Sequence, residues 1–94
     1  MITILTAALK QLERFSKKEQ HAFQKAIERF THADPLSRRS MLKHIGNSHF
    51  DHLQVKWSIR ASRKHRVLLD WEHDRYVVRA FVSRGDRKYY WGER

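Results

Sequence analysis

The chain's 94 residues suffice for one domain. A formal net charge of +10 makes that domain self-repelling unless its partner is a polyanion: a nucleic acid, an anionic surface or an acidic protein. With 40% hydrophobic and 12% aromatic residues the chain can bury a core, unlike a disordered basic tail, while the absence of cysteine excludes disulfides and thiolate metal sites.

No apolar run approaches the ~20 residues of a membrane span, and the N-terminus lacks the charged-then-apolar pattern of a signal peptide. The expectation is a single cytoplasmic domain over residues 1–94, with no membrane partner. Ile2 to Leu5 is a short β-branched run that reads as a first strand. Thr6 is positioned to cap the helix that follows, expected over Ala7–Phe15 from Ala8, Leu9, Leu12 and Phe15 at helical spacing. Ser16 and Glu19 match a capping box, in which each side chain satisfies the other's orphan amide. A second helix is expected to run to about Thr31 with the stripe Ala22, Phe23, Ala26, Ile27 and Phe30, stopped by Asp34-Pro35. The two helices form a hairpin whose stripes need a cover. The segment from Leu36 to Asp51 is polar and basic; Met41, Leu42 and Ile45 allow a turn of helix or a short strand, and Gly46-Asn47-Ser48 signals a turn.

From Leu53 onward the chain alternates like a sheet. Strands are expected over about Leu53–Arg60, from Arg66 to Trp71, and from Tyr76 to Ser83, with Ala61–His65 as one loop and a polar hairpin at Glu72–Arg75. With His73-Asp74 as the loop residues, Trp71 faces Tyr76, Leu69 faces Val78 and Val67 faces Ala80, while Arg66 falls opposite Phe81 and Leu68 opposite Arg79. Trp57, Ile59 and Trp71 join the core set by parity. The other face is expected to hold Lys56, Ser58, Arg60, Arg66 and Arg79, with Leu68 and Phe81 between. A solvated polar face is the ordinary reading of such a pattern, but from Leu36 to Leu69 there are eight Lys or Arg against one acid, Asp51, which favours an anion-binding face. Gly85 supplies a turn, followed by Arg87, Lys88, Tyr89, Tyr90 and Trp91. His44, His49 and His52 lie close in sequence, and three imidazoles can bind zinc; with no carboxylate but Asp51 nearby, a metal site is not expected. His21, His32 and His73 read as solvated.

The order strand, helical hairpin and antiparallel strands, the strand opening His65-Arg66-Val67-Leu68-Leu69, and the ending Val82-Ser83-Arg84-Gly85-Asp86-Arg87 with an aromatic tail together resemble the RelE/ParE toxin superfamily of toxin–antitoxin modules. The resemblance implies a small α+β fold, an N-terminal strand and helical hairpin on a mainly antiparallel twisted sheet. It also implies an adjacent-gene antitoxin that wraps the toxin, here expected to be acidic. In the RelE branch the target is messenger RNA in the ribosomal decoding site. On that pattern Arg66 opens the central strand and Arg87 follows the glycine of the last. Lys56 and Arg60 supply the preceding strand, and Tyr90 the aromatic hydroxyl. Ser58 stands where some members carry a lysine, and Trp91 where a final tyrosine is expected.

Metal-free RNA cleavage uses the 2′-hydroxyl as nucleophile, so the site needs a base, charge stabilisation on phosphorus and an acid for the leaving oxygen. Arginine is permanently cationic and forks onto phosphate oxygens. Arg66 and Arg87 are expected to hold the scissile phosphate, Lys56 and Arg60 to assist, and Tyr90 to transfer a proton or stack on a base. Arg63, Lys64, His65, Arg79, Arg84 and Lys88 complete the expected RNA-contacting set, with no cofactor. For proton transfer His65 has a suitable reference pKa, ~6.5, but parity turns it away from Arg66, so a turn histidine without a catalytic role is the simpler reading. The alternatives are a ParE-like inhibitor of DNA gyrase and a basic RNA-binding module without activity.

Overall fold

The computed structural model describes residues 2–44, 49–50 and 53–83, and it is an α+β fold. β1 (Ile2–Ile4) leads into α1 (Thr6–Leu12), α2 (Lys17–His32) and α3 (Pro35–Met41). The strands β2 (Lys43–His44), β3 (His49–Phe50), β4 (Leu53–Gln54), β5 (Trp57–Arg60), β6 (His65–Glu72) and β7 (Arg75–Ser83) follow. The main sheet has the order β1-β7-β6-β5-β2. Among the described residues only β1 runs parallel to its neighbour, with Ile2, Thr3 and Ile4 beside Tyr76, Val77 and Val78. β3 and β4 pair with each other in a separate two-stranded ladder. The expected strand from Leu53 to Arg60 is thus split, Val55 and Lys56 lying between β4 and β5.

Local chemistry sets the helix ends. The capping box forms: Ser16 Oγ accepts from the Glu19 amide at 3.1 Å, and Glu19 Oε1 accepts from the Ser16 amide at 2.8 Å. Thr6, in contrast, is the first helical residue of α1; the N-cap is Leu5, and no side chain caps it. α1 stops at Leu12, short of Phe15, because the Arg14 and Phe15 amides turn back to Gln11 and Leu12 in tight three-residue steps. Asp34-Pro35 ends α2 and also starts α3: Asp34 Oδ1 accepts from the Ser37 amide at 2.8 Å, and proline occupies the first helical turn, where its missing N–H is harmless. Arg38 of α3 then reaches back to the end of α2, donating to the carbonyls of Phe30, Thr31 and Ala33 and lying over the Phe30 ring. A cation there complements the helix dipole.

The helical hairpin covers one face of the sheet. Ala8, Phe23, Ala26 and Phe30 pack on Ile59, Val67, Leu69, Val78 and Phe81, with Trp57 and Tyr76 half-buried at the margin. The β6–β7 turn is His73-Asp74, with φ of 50° and 63°; this left-handed pair is what a two-residue hairpin needs. Trp71 faces Tyr76 and Leu69 faces Val78, as the alternation predicts. Beyond that the ladder slips. A bulge between Leu68 and Leu69 leaves Arg79 as the extra residue on β7, so Val67 pairs with Phe81 and not Ala80, Leu68 with Ala80 and not Arg79, and Arg66 with Val82 and not Phe81. Phe81 thereby turns to the helix side, where its amide donates to Gln11 Oε1 of α1 at 3.0 Å. Ala80 and Val82 turn to the opposite face and join Val55 and Leu68 in a second buried cluster. That face is therefore not the continuous basic surface the sequence suggests. Trp71 is a second correction: its parity is as expected, but at the sheet's end it is 54% exposed, packed edge-on against Tyr76.

Candidate nucleic-acid interface

Arg60, Arg66 and Arg79, expected together on one face, stand at two ends of the sheet. At one end, β5 and β6 set Arg60 directly opposite Arg66. Like charges in directly opposed positions are unfavourable across strands, and a shared anion removes the conflict. The hairpin between them, Ala61–Lys64, adds the exposed cations Arg63 and Lys64 and no acid. Both guanidinium groups converge on one carbonyl. Arg60 Nε donates to Ser62 O at 3.3 Å and Arg66 Nη1 donates to the same oxygen at 2.8 Å, and to the carbonyls of His65 at 3.0 Å and Arg63 at 3.3 Å. Arg60 is exposed and Arg66 half-buried, so this cationic surface opens to solvent.

At the other end, Arg79 stands on the bulge and meets two acids. Its Nε lies 3.3 Å from Asp70 Oδ2, and its Nη2 pairs with Glu72. Asp70 also accepts from the Lys56 amide at 2.9 Å, so this carboxylate ties β6 to the turn before β5. The Lys56 side chain is exposed, but its residue precedes the strand to which the sequence reading assigns it. Ser58, beside Leu68, is 1% exposed, and its hydroxyl has no hydrogen-bond partner. A groove of about 810 Å³ lies between α3 and this end of the sheet, lined in part by Arg39, Lys56, Trp57, Trp71 and Tyr76. Neither Arg60 nor Arg66 lines it, so the groove and the arginine pair are separate features.

His65 begins β6, inside the strand and not in the turn, and faces the helices with its side chain 13% exposed. Its Nε2 lies 2.9 Å from Glu19 Oε2 and its Nδ1 lies 2.7 Å from Ser62 Oγ. The Phe15 and Phe23 rings meet it edge-on, at 5.9 Å and 5.3 Å between centroids. Glu19 is held below the usual glutamate range chiefly by the Ser16 amide; burial opposes that shift, and the bond to His65 adds to it. Sequence reading does not find this chain of contacts, because Glu19 and His65 are far apart along the chain and nothing local joins them.

Of the other expected site residues, Arg84, Arg87, Lys88, Tyr90 and the neighbouring Trp91 lie outside the described residues. So does His52; of His49 only the backbone belongs to them. His44 stands on β2 with its ring 5.0 Å from that of Trp57. Among the described residues no group of three metal-binding side chains comes together, and no helix is long and apolar enough to cross a membrane. No family model, curated protein or solved structure matches the chain.

Proposed function

We propose that this protein is a RelE-like toxin of a toxin–antitoxin module, an endoribonuclease that cuts messenger RNA on the ribosome without a metal. The observation that carries the reading is the Arg60–Arg66 pair, two opposed guanidinium groups gathered on the Ser62 carbonyl in a hairpin whose other charges are Arg63 and Lys64. Two forks on one side of a phosphodiester neutralise its equatorial oxygens and favour the more highly charged phosphorane over the ground state. The RNA's own 2′-oxygen then attacks phosphorus, the bond to the 5′-oxygen breaks, and a 2′,3′-cyclic phosphate and a 5′-hydroxyl result. Arg87 is the further phosphate ligand in this reading, and Tyr90 a group that assists proton transfer or stacks on a base. The net charge of +10 suits both an RNA substrate and an acidic antitoxin that shields the arginines before release.

Mapping RNA 5′ ends after brief induction in a bacterial cell tests it, with Arg66→Ala as the comparison. New ends inside translated reading frames, absent in the variant, are the expected result, and their dependence on frame assigns the cut to the ribosome. Growth arrest with intact messenger RNA overturns the reading in favour of gyrase inhibition. Neither arrest nor cleavage leaves a basic binding module.

A further inference from the structure

The arginines can hold a phosphate but cannot take a proton from the 2′-hydroxyl, because a guanidinium does not deprotonate in proteins. The cleavage reaction therefore needs another group, within reach of Ser62. Resting on the endonuclease reading, we propose that Ser62, His65 and Glu19 form a proton relay beside the arginine pair and serve as the general base for RNA cleavage.

The geometry is that of a hydroxyl, an imidazole and a carboxylate in series, 2.7 Å and 2.9 Å apart. An activated hydroxyl elsewhere is recognised by such an arrangement, with the base oriented by a third group. The tautomer follows from the partners. Glu19, ionised, only accepts, so His65 Nε2 carries the proton and Nδ1 is left as an acceptor. The Lys64 amide donates to Ser62 Oγ at 3.3 Å, which leaves the serine's own proton to point at Nδ1. One residue thus joins two functions: the Ser62 carbonyl gathers Arg60 and Arg66, and its hydroxyl leads to the imidazole. Around the ring stand Glu19 from α2, the Phe15 and Phe23 rings of the helical hairpin, Ser83 opposite it on β7, and Ser62 from the loop. Arg66 is the adjacent cation, bonded to the His65 carbonyl and not to the ring.

In the step itself the 2′-hydroxyl gives its proton to Ser62 Oγ as Ser62 gives its own to His65 Nδ1. The 2′-oxygen bonds to phosphorus, the bond to the 5′-oxygen breaks, and that oxygen takes a proton from water. The hydroxide left behind recovers the proton from the imidazolium, which Glu19 stabilises in the meantime.

Single-turnover cleavage of messages on programmed ribosomes, followed from about pH 6 to pH 8.5, tests the relay with Ser62→Ala, His65→Gln and Arg66→Ala. Ser62 is half-buried in a loop, so its variant retains the fold, and a thermal melt checks His65→Gln, whose amide is able to bridge the same partners. In the wild type the rate should rise with pH and then level, as for a reaction that needs a deprotonated base. Ser62→Ala and His65→Gln should lose that limb and fall on the order of a hundredfold to a thousandfold, with message affinity held within about threefold. If both variants keep the wild-type rate and pH profile while Arg66→Ala is inactive, the network is a structural brace and the relay is wrong. If the wild type cuts no message at any pH, the relay falls together with the endonuclease reading.

Discussion

The two ends of the same sheet face carry arginines in opposite circumstances. At the β5–β6 hairpin Arg60 meets Arg66, with Arg63 and Lys64 close by and no acid in the loop. At the other end Arg79 meets Asp70 and Glu72. Sequence parity puts all these cations on one surface and counts them alike. The cross-strand neighbour distinguishes them: an arginine beside two carboxylates contributes to holding strands together, whereas Arg60 and Arg66 set two like charges side by side across the ladder. Composition counts these cations together; their neighbours across the ladder separate them.

The sharpest way to break this contrast is to remove one cation from each end. Arg66→Ala is expected to lower message cleavage on the order of a hundredfold to a thousandfold, the range seen when a single charge-stabilising donor is lost, while the melting transition stays cooperative. Arg79→Ala should do the reverse. It leaves Asp70, with 14% of its side chain exposed, without its cation, and should cost about 1–2 kcal/mol in a urea titration, with cleavage changed less than about threefold. Equal loss of cleavage in both variants would show that the two ends act as one surface. Trp71→Ala comes next: at 54% exposure it should cost less than about 1 kcal/mol, against ~3–5 for a buried aromatic such as Phe23→Ala. A large loss at Trp71 would mean that the groove end is better packed than its exposure implies.

The smallest effect is acid sensitivity. Glu19 and Asp34 are both lowered in the folded protein, each chiefly by a backbone amide, from Ser16 and Ser37 respectively. A depressed carboxylate contributes stability that is fully present above its unfolded pKa, about 4.3 for glutamate and 3.9 for aspartate. That contribution is lost as pH falls through the lower folded value. Melting temperatures measured from pH 5.5 down to pH 3 should therefore fall less in a Glu19→Gln, Asp34→Asn double variant than in the wild type.

Sequence legibility follows how local each cause is. The capping box at Ser16 and Glu19, the stripe of Phe23, Ala26 and Phe30, and the pairing of Trp71 with Tyr76 rest on neighbours or on a two-residue turn, and all are readable. The bulge is not. From Val77 to Val82 the strand is apolar except for Arg79, so no alternation marks the slip, and a one-residue shift reverses every facing beyond it. α3 is readable only in part: Asp34-Pro35 signals a stop and a start equally well, and a polar segment such as Pro35–Met41, without a buried residue, gives no stripe to choose between them. The arginine pair itself was half legible. Parity puts Arg60 and Arg66 on one face; that they stand directly opposite each other and share the Ser62 carbonyl depends on the length of the loop between them.

The parallel pairing of β1 with β7 has a consequence for biosynthesis. A nascent chain emerges with β1 and the whole helical hairpin before β7 exists, so Phe23 and Phe30 lack Val78 and Phe81 until that strand has been made. The hairpins β5–β6 and β6–β7 close from sequence neighbours, whereas β1 must wait for its partner across every other element, the slow kind of contact. Closure of the sheet is accordingly timed by the delivery of β7, and a chaperone that meets the chain before then would find the apolar side of α2 open.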